Sequence, residues 1–416
     1  MEQIDPELER FDRHRVREVQ AYYSHTASTF LAKFQSTVTS LKPDERIKLV
    51  YTHESMESLK AVLADPEANK ICSLHWTYYE KEDVTPIIPL LINSCPELAS
   101  LDVCFNHYSE FDFVSSLLEH PSNRIKVLDI SPNTKGDIAR FFAALGQSQV
   151  SALALCYSSN FAQGLCEYLA RDLLVRLKVR MGKRQVPAEM MSLVDCTRLA
   201  KLELIECEFS QPTVFTLPKS ITKLRLFDCT FVGRFDWSFL ADSNMRELDV
   251  LHVRGVDGNQ LGSALAVQLR AKGLDKLCFA YCGFADETLA VVGVELGRIK
   301  RLEIAGHLSD APIELIALTL KSPNNEMKEL KLEYDDYTAT SIEDHLVPAL
   351  KHPNCNLVKL GFDQIGNEAR PRAVEDMFHN RLALFVLLQG RQVRRIYCPL
   401  RRLPVEMFRL VGEVLI

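Results

Sequence analysis

Apolar residues in this chain recur in short runs of the form apolar-x-x-apolar-x-apolar, and the runs are evenly spaced. They begin at Ile71, Leu98, Ile125, Val150, Leu174, Leu199, Ile221, Met245, Leu274, Ile299, Met327 and Leu357, with no gap shorter than 22 or longer than 30 residues. Such a period marks a repeat array, in which each unit is too small to bury its own apolar face and relies on its neighbours. Each run alternates as a strand does, with its fourth and sixth places pointing inward and its third, fifth and seventh outward. Between the runs lie segments of helical periodicity, such as residues 286–299, where Asp286 is expected to cap the helix, and residues 341–353. The expectation is an α/β solenoid of about 12 strand–helix repeats lined by parallel strands. The stretch "IKLVY" at 47–51, 24 residues before the first run, reads as a degenerate capping repeat.

The residues that follow each run carry a resemblance. The ninth place is Asn106, Asn133, Cys207, Cys229 and Cys282, and the eleventh is Tyr108, Phe209, Phe231 and Phe284. This pattern, LxxLxLxx(N/C)xL, together with "ALKHPNCNLVKLGF" at 349–362, resembles leucine-rich-repeat proteins of the ribonuclease-inhibitor-like subclass. The resemblance implies a horseshoe array over residues 47–365. Other ninth places (Tyr79, Ser158, Gly182, Val253, His307, Asp335 and Ile365) depart from it, so irregular turns are expected, with Gly182 marking a distorted repeat. Residues 1–46, with Ile4, Leu8, Phe11, Phe30, Leu31 and Phe34 at helical intervals, read as an N-terminal helical cap. Residues 366–416 hold nine arginines and no lysine and read as an arginine-rich helical C-terminal cap.

Twelve cysteines in a chain of this length, without an apolar leader at Met1, point to reduced thiols in an intracellular, cytoplasmic setting rather than to a disulfide framework. There is no CxxC pair, and Cys278 and Cys282 have no second pair or histidine spaced to complete a zinc site. Cys207, Cys229 and Cys282 are therefore expected to be rungs of an internal ladder, satisfying backbone groups where each strand turns away. No metal or cofactor is implied.

Composition narrows the function. With 47% hydrophobic and 25% charged residues the chain can bury a large core, and a net charge of −6 gives no general pull toward nucleic acid or an anionic membrane. No apolar run is long enough to span a bilayer. Motifs for hydrolases, zinc proteases, phosphate loops and dinucleotide sites are absent, and His75, His107, His252 and His307 have no spaced nucleophile.

The outward columns carry the functional expectation. Arg176, Lys178, Arg180, Lys201, Lys223 and Arg225 form a basic set, and the seventh places Ile205, Phe227, Leu251, Ala280 and Ala305 form an apolar row. Apolar surface rimmed by charge is the composition of a protein-binding face, with Phe227, Leu251 and Ile205 as anchors and the basic residues steering an acidic partner. The expected function is a non-enzymatic protein-interaction scaffold acting through its concave face. Two alternatives come by resemblance. "LPVEMFRLVGEVL" at 403–415 is similar to the first helix of an F-box, which would make the array a substrate-recognition subunit that recruits ubiquitin-ligase components. Ribonuclease-inhibitor-like arrays also include GTPase activators of the Ran type, whose acidic tail this chain lacks.

Overall fold

The computed structural model describes residues 16–364 apart from the segments 22–26, 43–44, 54–55, 80–82, 106–109, 131–135, 157–160, 187–192, 211–215, 234, 307–308 and 335–341. The expected C-terminal cap, its F-box-like stretch, and the ninth places Asn106, Asn133, Ser158, His307, Asp335 and Ile365 lie outside the described residues. The chain forms two compact units, one up to Ile221 and one from Thr222.

In the first unit, strands β1 (Val16–Ala21), β2 (Arg46–His53), β3 (Ile71–Tyr78), β4 (Ser100–Phe105), β5 (Val127–Ile130), β6 (Ala152–Cys156), β7 (Arg176–Gln185) and β8 (Lys201–Phe209) pair in sequence order, each parallel to the next. In the second unit, β9 (Lys223–Phe227) is followed by the two-residue β10 (Thr230–Phe231). From β9 the parallel order runs through β11 (Glu247–Leu251), β12 (Leu274–Ala280), β13 (Ile299–Ala305), β14 (Glu329–Tyr334) and β15 (Lys359–Gln364). Each unit is thus a stretch of leucine-rich-repeat solenoid.

Equivalent places of successive repeats stand opposite one another. Leu74 pairs with Leu101, Leu101 with Leu128 and Leu128 with Leu153; in the second unit Leu224, Leu248, Leu277, Leu302, Leu330 and Leu360 continue the same way. A one-residue slip would turn every such leucine to solvent, so the fourth place fixes the register, and all of these leucines are buried. Differences in repeat length are taken up between the strands. Those connections include α1 (Ala27–Thr39), α2 (Met56–Leu63), α3 (Ile87–Ser94), α4 (Glu110–Leu118), α5 (Ile138–Gln147) and α6 (Ala162–Leu169) in the first unit. The second has α7 (Phe239–Asp242), α8 (Gly258–Lys272), α9 (Ala285–Val292), α10 (Asp310–Lys321) and α11 (Val347–Leu350).

Local chemistry sets the helix ends. Asp257 opens α8 by accepting the N–H groups of Asn259 and Gln260, and Asp137 opens α5 by accepting that of Arg140. Gly293, at φ 55°, breaks the segment expected as one helix over 286–299 into α9 and a 3-10 turn over Gly293–Arg298. Asp286 does not cap its own helix. α9 starts one residue earlier, which leaves Asp286 inside the first turn, and its Oδ2 accepts the N–H of Ser309 at the head of α10, 3.0 Å away. Of the segment expected as a helical cap, residues 1–15 with Ile4, Leu8 and Phe11 lie outside the described residues, and the rest holds the helix α1 and also the strand β1. Strand pairing there buries Val19 and gives the edge of "RIKLVYTH" a partner. Residues 46–53 accordingly form a full strand.

The two cores differ. In the first unit Trp76, the ring at the sixth place of β3, packs with rings from β4 and α4, lying 5.0 Å from Phe105 and 5.4 Å from Phe113, both edge-to-face. In the second the sixth places of β9, β11, β13 and β14 are aliphatic and that of β12 is Phe279, and rings gather where the chain leaves β10, Phe231 lying 4.5 Å from Phe235 and 5.3 Å from Trp237.

Candidate functional site

A parallel strand that must turn into a helix leaves backbone groups without ladder partners, and the thiols meet that need. Cys207 Sγ donates to Ile205 O and Cys229 Sγ to Phe227 O, each at 3.5 Å. Cys282 Sγ lies 3.3 Å from both Ala280 O and Val250 O. All three cysteines are buried, and Phe209, Phe231 and Phe284 fill the interior two places later. Burial raises the pKa of Cys282, so its thiol stays protonated and remains a donor.

The same turn forces the eighth place into the left-handed region. Glu206, Asp228, His252 and Tyr281 have φ between 50° and 55°, and Gly306 has 107°. In the second unit the N–H groups of Asp228, His252 and Tyr281 each donate to the seventh-place carbonyl of the following strand, on Leu251, Ala280 and Ala305, at 2.7–2.9 Å. A residue with a Cβ there costs roughly 1–2 kcal/mol relative to glycine. A histidine and a tyrosine occupy two of these places, and both are exposed.

Their rings form a row. His252 and Tyr281 stack with centroids 4.7 Å apart and planes at 13°, and Phe227 meets His252 edge-on at 5.7 Å. The guanidinium of Arg225 lies 5.9 Å from the centre of the Phe227 ring, close enough for a cation–π contact. Beside them Leu251 and Ala305 are half-buried and Ala280 is buried, so the apolar row expected from the seventh places is exposed only in part.

Charge on this face is otherwise matched pairwise. Lys223 binds Glu247 at 2.8 Å and approaches Asp249 at 3.7 Å. Lys276 sits between Asp249 at 2.9 Å and Glu303 at 3.1 Å, and Arg301 binds Glu303 and Glu329. Burial works to raise the Glu303 carboxyl, but hydrogen bonds from Lys276 and Arg301 more than offset it and hold the pKa below its usual value. Arg225 is different: among the described residues it has no carboxylate partner, and its Nε is buried without a hydrogen bond.

In the first unit the expected basic residues are mostly engaged. Arg176 binds Glu203 at 2.8 Å, Lys178 lies 3.6 Å from Asp129, and Arg180 Nε donates to Glu206 at 2.9 Å. Lys201 carries no ion pair among the described residues, and Ile205 is half-buried. β7 is irregular, as Gly182 suggested, with a register shift between Arg180 and Arg184. On the same face His75 Nδ1 is 2.5 Å from Asp102 Oδ2, and Thr77 Oγ1 is 3.3 Å from His75 Nε2. The Asp102 hydrogen bond raises the His75 pKa against the opposing effect of burial. Asp129 is raised by burial and by the nearby Asp102 charge.

Phe227, Leu251 and Arg225 were legible as outward-facing; Tyr281 and the use of His252 were not. Strand alternation points an eighth-place side chain inward, and only the left-handed turn redirects it. The available signal was compositional: aromatic residues in a column where glycine or asparagine would be unstrained.

Among the described residues no group of three or more His, Cys, Asp or Glu side chains is gathered to hold a metal ion, and no helix is long and apolar enough to cross a membrane. No family model matches the chain, and neither does any curated protein sequence. Solved structures similar to it include an internalin from Listeria monocytogenes, 11% identical with a TM-score of 0.43, covering 83% of this chain and 96% of the internalin. The leucine-rich-repeat ectodomain of the Arabidopsis receptor kinase HAESA, in complex with a peptide hormone, is 13% identical with a TM-score of 0.34, and 77% of this chain spans 57% of it. PEPR1 in complex with AtPEP1 is 13% identical with a TM-score of 0.33, and 76% of this chain spans 40% of it. At such scores these likenesses identify neither a family nor a ligand for this chain.

Proposed function

We propose that the chain is a non-enzymatic protein-interaction scaffold and that the strand face of the second unit is its recognition surface. One observation carries this: His252 and Tyr281 hold exposed, stacked rings on left-handed backbone, where the fold alone is better served by glycine. Strain kept at an exposed aromatic pair beside an unpaired arginine fits an interface centre, since aromatic and arginine side chains dominate interface energetics. Phe227 and Leu251 extend the apolar contact. Because Arg176, Lys178, Arg180 and Lys223 are already engaged by carboxylates, the attraction of an acidic partner falls on Arg225, with Lys201 filling that role in the first unit; Ile205 offers a half-buried apolar side chain there.

Affinity capture from cell extract with mass spectrometry tests the reading. A Phe227→Ala, Tyr281→Ala double variant with an unchanged circular dichroism spectrum should selectively lose partners retained by the wild type. An unchanged partner set would move recognition off this face. For any partner captured, the association rate should fall as salt screens Arg225, and a salt-independent rate would remove the steering role.

A further inference from the structure

The strand face of the second unit is graded, and the gradient defines what fits it. Along the seventh-place column the side chains shrink from Phe227 on β9 to Leu251 on β11 and then to Ala280 and Ala305 on β12 and β13, which pair directly. Gly306 continues the low end: a Cβ there would stand 3.3 Å from the Tyr281 backbone and 3.4 Å from its ring, so glycine lets the tyrosine lie close. The exposed Tyr281 ring therefore stands beside a low apolar shelf at half-buried Ala305, with Ala280 and Gly306 buried next to it. At the high end Arg225 stands over Phe227 with no carboxylate partner among the described residues, while Lys223, Lys276 and Arg301 have theirs.

We infer that this face takes an extended peptide segment crossing the strands, with an acidic side chain at Arg225 and a large apolar or aromatic side chain on the shelf. This inference rests on the recognition surface proposed above and adds the partner's chemistry. Spacing follows from geometry. Neighbouring strands are about 4.8 Å apart, so two to three strand steps from β9 to the β12–β13 shelf span about 10–14 Å. An extended chain advances about 3.3 Å per residue, so that span separates the two side chains by three or four positions. The recognised pattern is an acidic residue, two or three residues of any kind, and then a large apolar residue. Charge complementarity selects the acid, because placing a lysine against Arg225 would leave two buried like charges. The step from Phe227 down to Ala305 selects the size, because a small side chain would leave the Tyr281 wall and the shelf unfilled.

Display of random 12-residue peptides on the intact chain, followed by fluorescence anisotropy on the enriched sequences, tests this. The expected result is enrichment of the acidic-then-apolar spacing. Binding should weaken at least tenfold in Arg225→Gln, and Arg225→Glu should shift selection toward a basic residue at the first position. Ala305→Trp, which fills the shelf, should abolish the preference at the second position while the acidic preference stays. Circular dichroism and melting midpoints confirm folding, and Lys359→Gln, on the same face away from the shelf, is the control expected to bind normally. Enriched peptides that depend on Phe227 and Tyr281 but lack this spacing overturn the inference and leave the recognition surface standing. Peptides indifferent to Phe227, Tyr281, Arg225 and Ala305 alike overturn both. No enrichment at all overturns the linear segment, and the capture experiment then decides the surface by itself.

Discussion

The ends of β9 and β12 in the second unit and of β4 in the first finish the same repeat with different chemistry, although β8 in the first unit also ends on a thiol, that of Cys207. In the second, the exits after β9 and β12 are closed by thiols, and the carboxylates Asp275 and Glu303 are held ionised by lysine and arginine partners. In the first, the exit after β4 is closed by a carboxyl: Glu110 Oε1 accepts the N–H of Phe105 at 2.9 Å, while its Oε2 is buried with no partner. Burial pushes the Glu110 pKa up to about 7 against two backbone hydrogen bonds that lower it. Strand ends are thus closed by thiols that serve backbone carbonyls in some places and by a titrating carboxyl that serves a backbone N–H in another. The contrast shows that a repeat fixes where a partner is required but not which partner, and that the choice decides how each unit responds to its surroundings.

The largest difference lies in the cores. Trp76 is fully buried among Phe105, Phe113 and Tyr78, and Trp76→Ala should cost about 3–5 kcal/mol in urea unfolding, with amide protection lost first in β3 and β4. Leu277, equally buried on β12, has less to lose, and Leu277→Ala should fall at about 2–4 kcal/mol. Equal costs would erase the distinction between an aromatic and an aliphatic core.

Glu110 gives the next effect. Its folded pKa of about 7 lies above the unfolded value of 4.5, so the folded state holds the extra proton between those limits and stability falls as pH rises through them. Glu110→Gln keeps an acceptor for Phe105 and removes the buried charge. The variant should be more stable than wild type at pH 8 by up to about 3 kcal/mol and nearly equal to it at pH 4. A wild-type advantage at pH 8 would mean that the carboxylate finds compensation when ionised.

The thiol exits respond to chemistry rather than to pH. Cys229→Ala or Cys282→Ala removes a weak donor and a buried sulfur at a cost of about 1 kcal/mol each, read from the urea midpoint. In the native protein Cys207, Cys229 and Cys282 should resist a polar thiol reagent that modifies them quickly in urea. Rapid native labelling of all three would contradict the ladder.

These exits also mark where sequence stopped informing. The strands were legible because the fourth and sixth places must be apolar to be buried, and a period that holds over twelve runs leaves no other register. Cys207, Cys229 and Cys282 were legible as rungs for the same reason. Glu110 was not, because a glutamate in the first turn of a helix reads as solvent-exposed and dipole-stabilised, and only the packing of α4 against the end of β4 buries it. Tyr281 was hidden by the left-handed turn. The ion pairs that quiet Arg176, Lys178, Arg180 and Lys223 join different repeats by rotamers that no column of outward places specifies; a basic column and a paired one look alike in sequence.

The smallest effect contrasts the direction of the pH response at two places, His75 in the first unit and the carboxylates Asp275 and Glu303 in the second. The hydrogen bond to Asp102 raises the pKa of His75 above the usual imidazole value of 6.5. Its contribution is therefore fully present below about pH 6.5 and is lost as pH rises through the folded pKa. Asp275 and Glu303 run the other way: their pKa values are lowered, so their contributions are present above the usual carboxylate range and vanish as pH falls through it. His75 and Asp102 are each about a third exposed, so solvent screening keeps the pair's worth below about 1 kcal/mol. In a Glu110→Gln background, which removes the overlapping titration, His75→Gln should flatten the remaining decline in β3–β4 amide protection above pH 6.5 and leave protection in β12–β13 unchanged. A decline that persists in the double variant would place the titrating group elsewhere, with Asp129 the next residue to substitute because it already stands above the ordinary aspartate range on the same face.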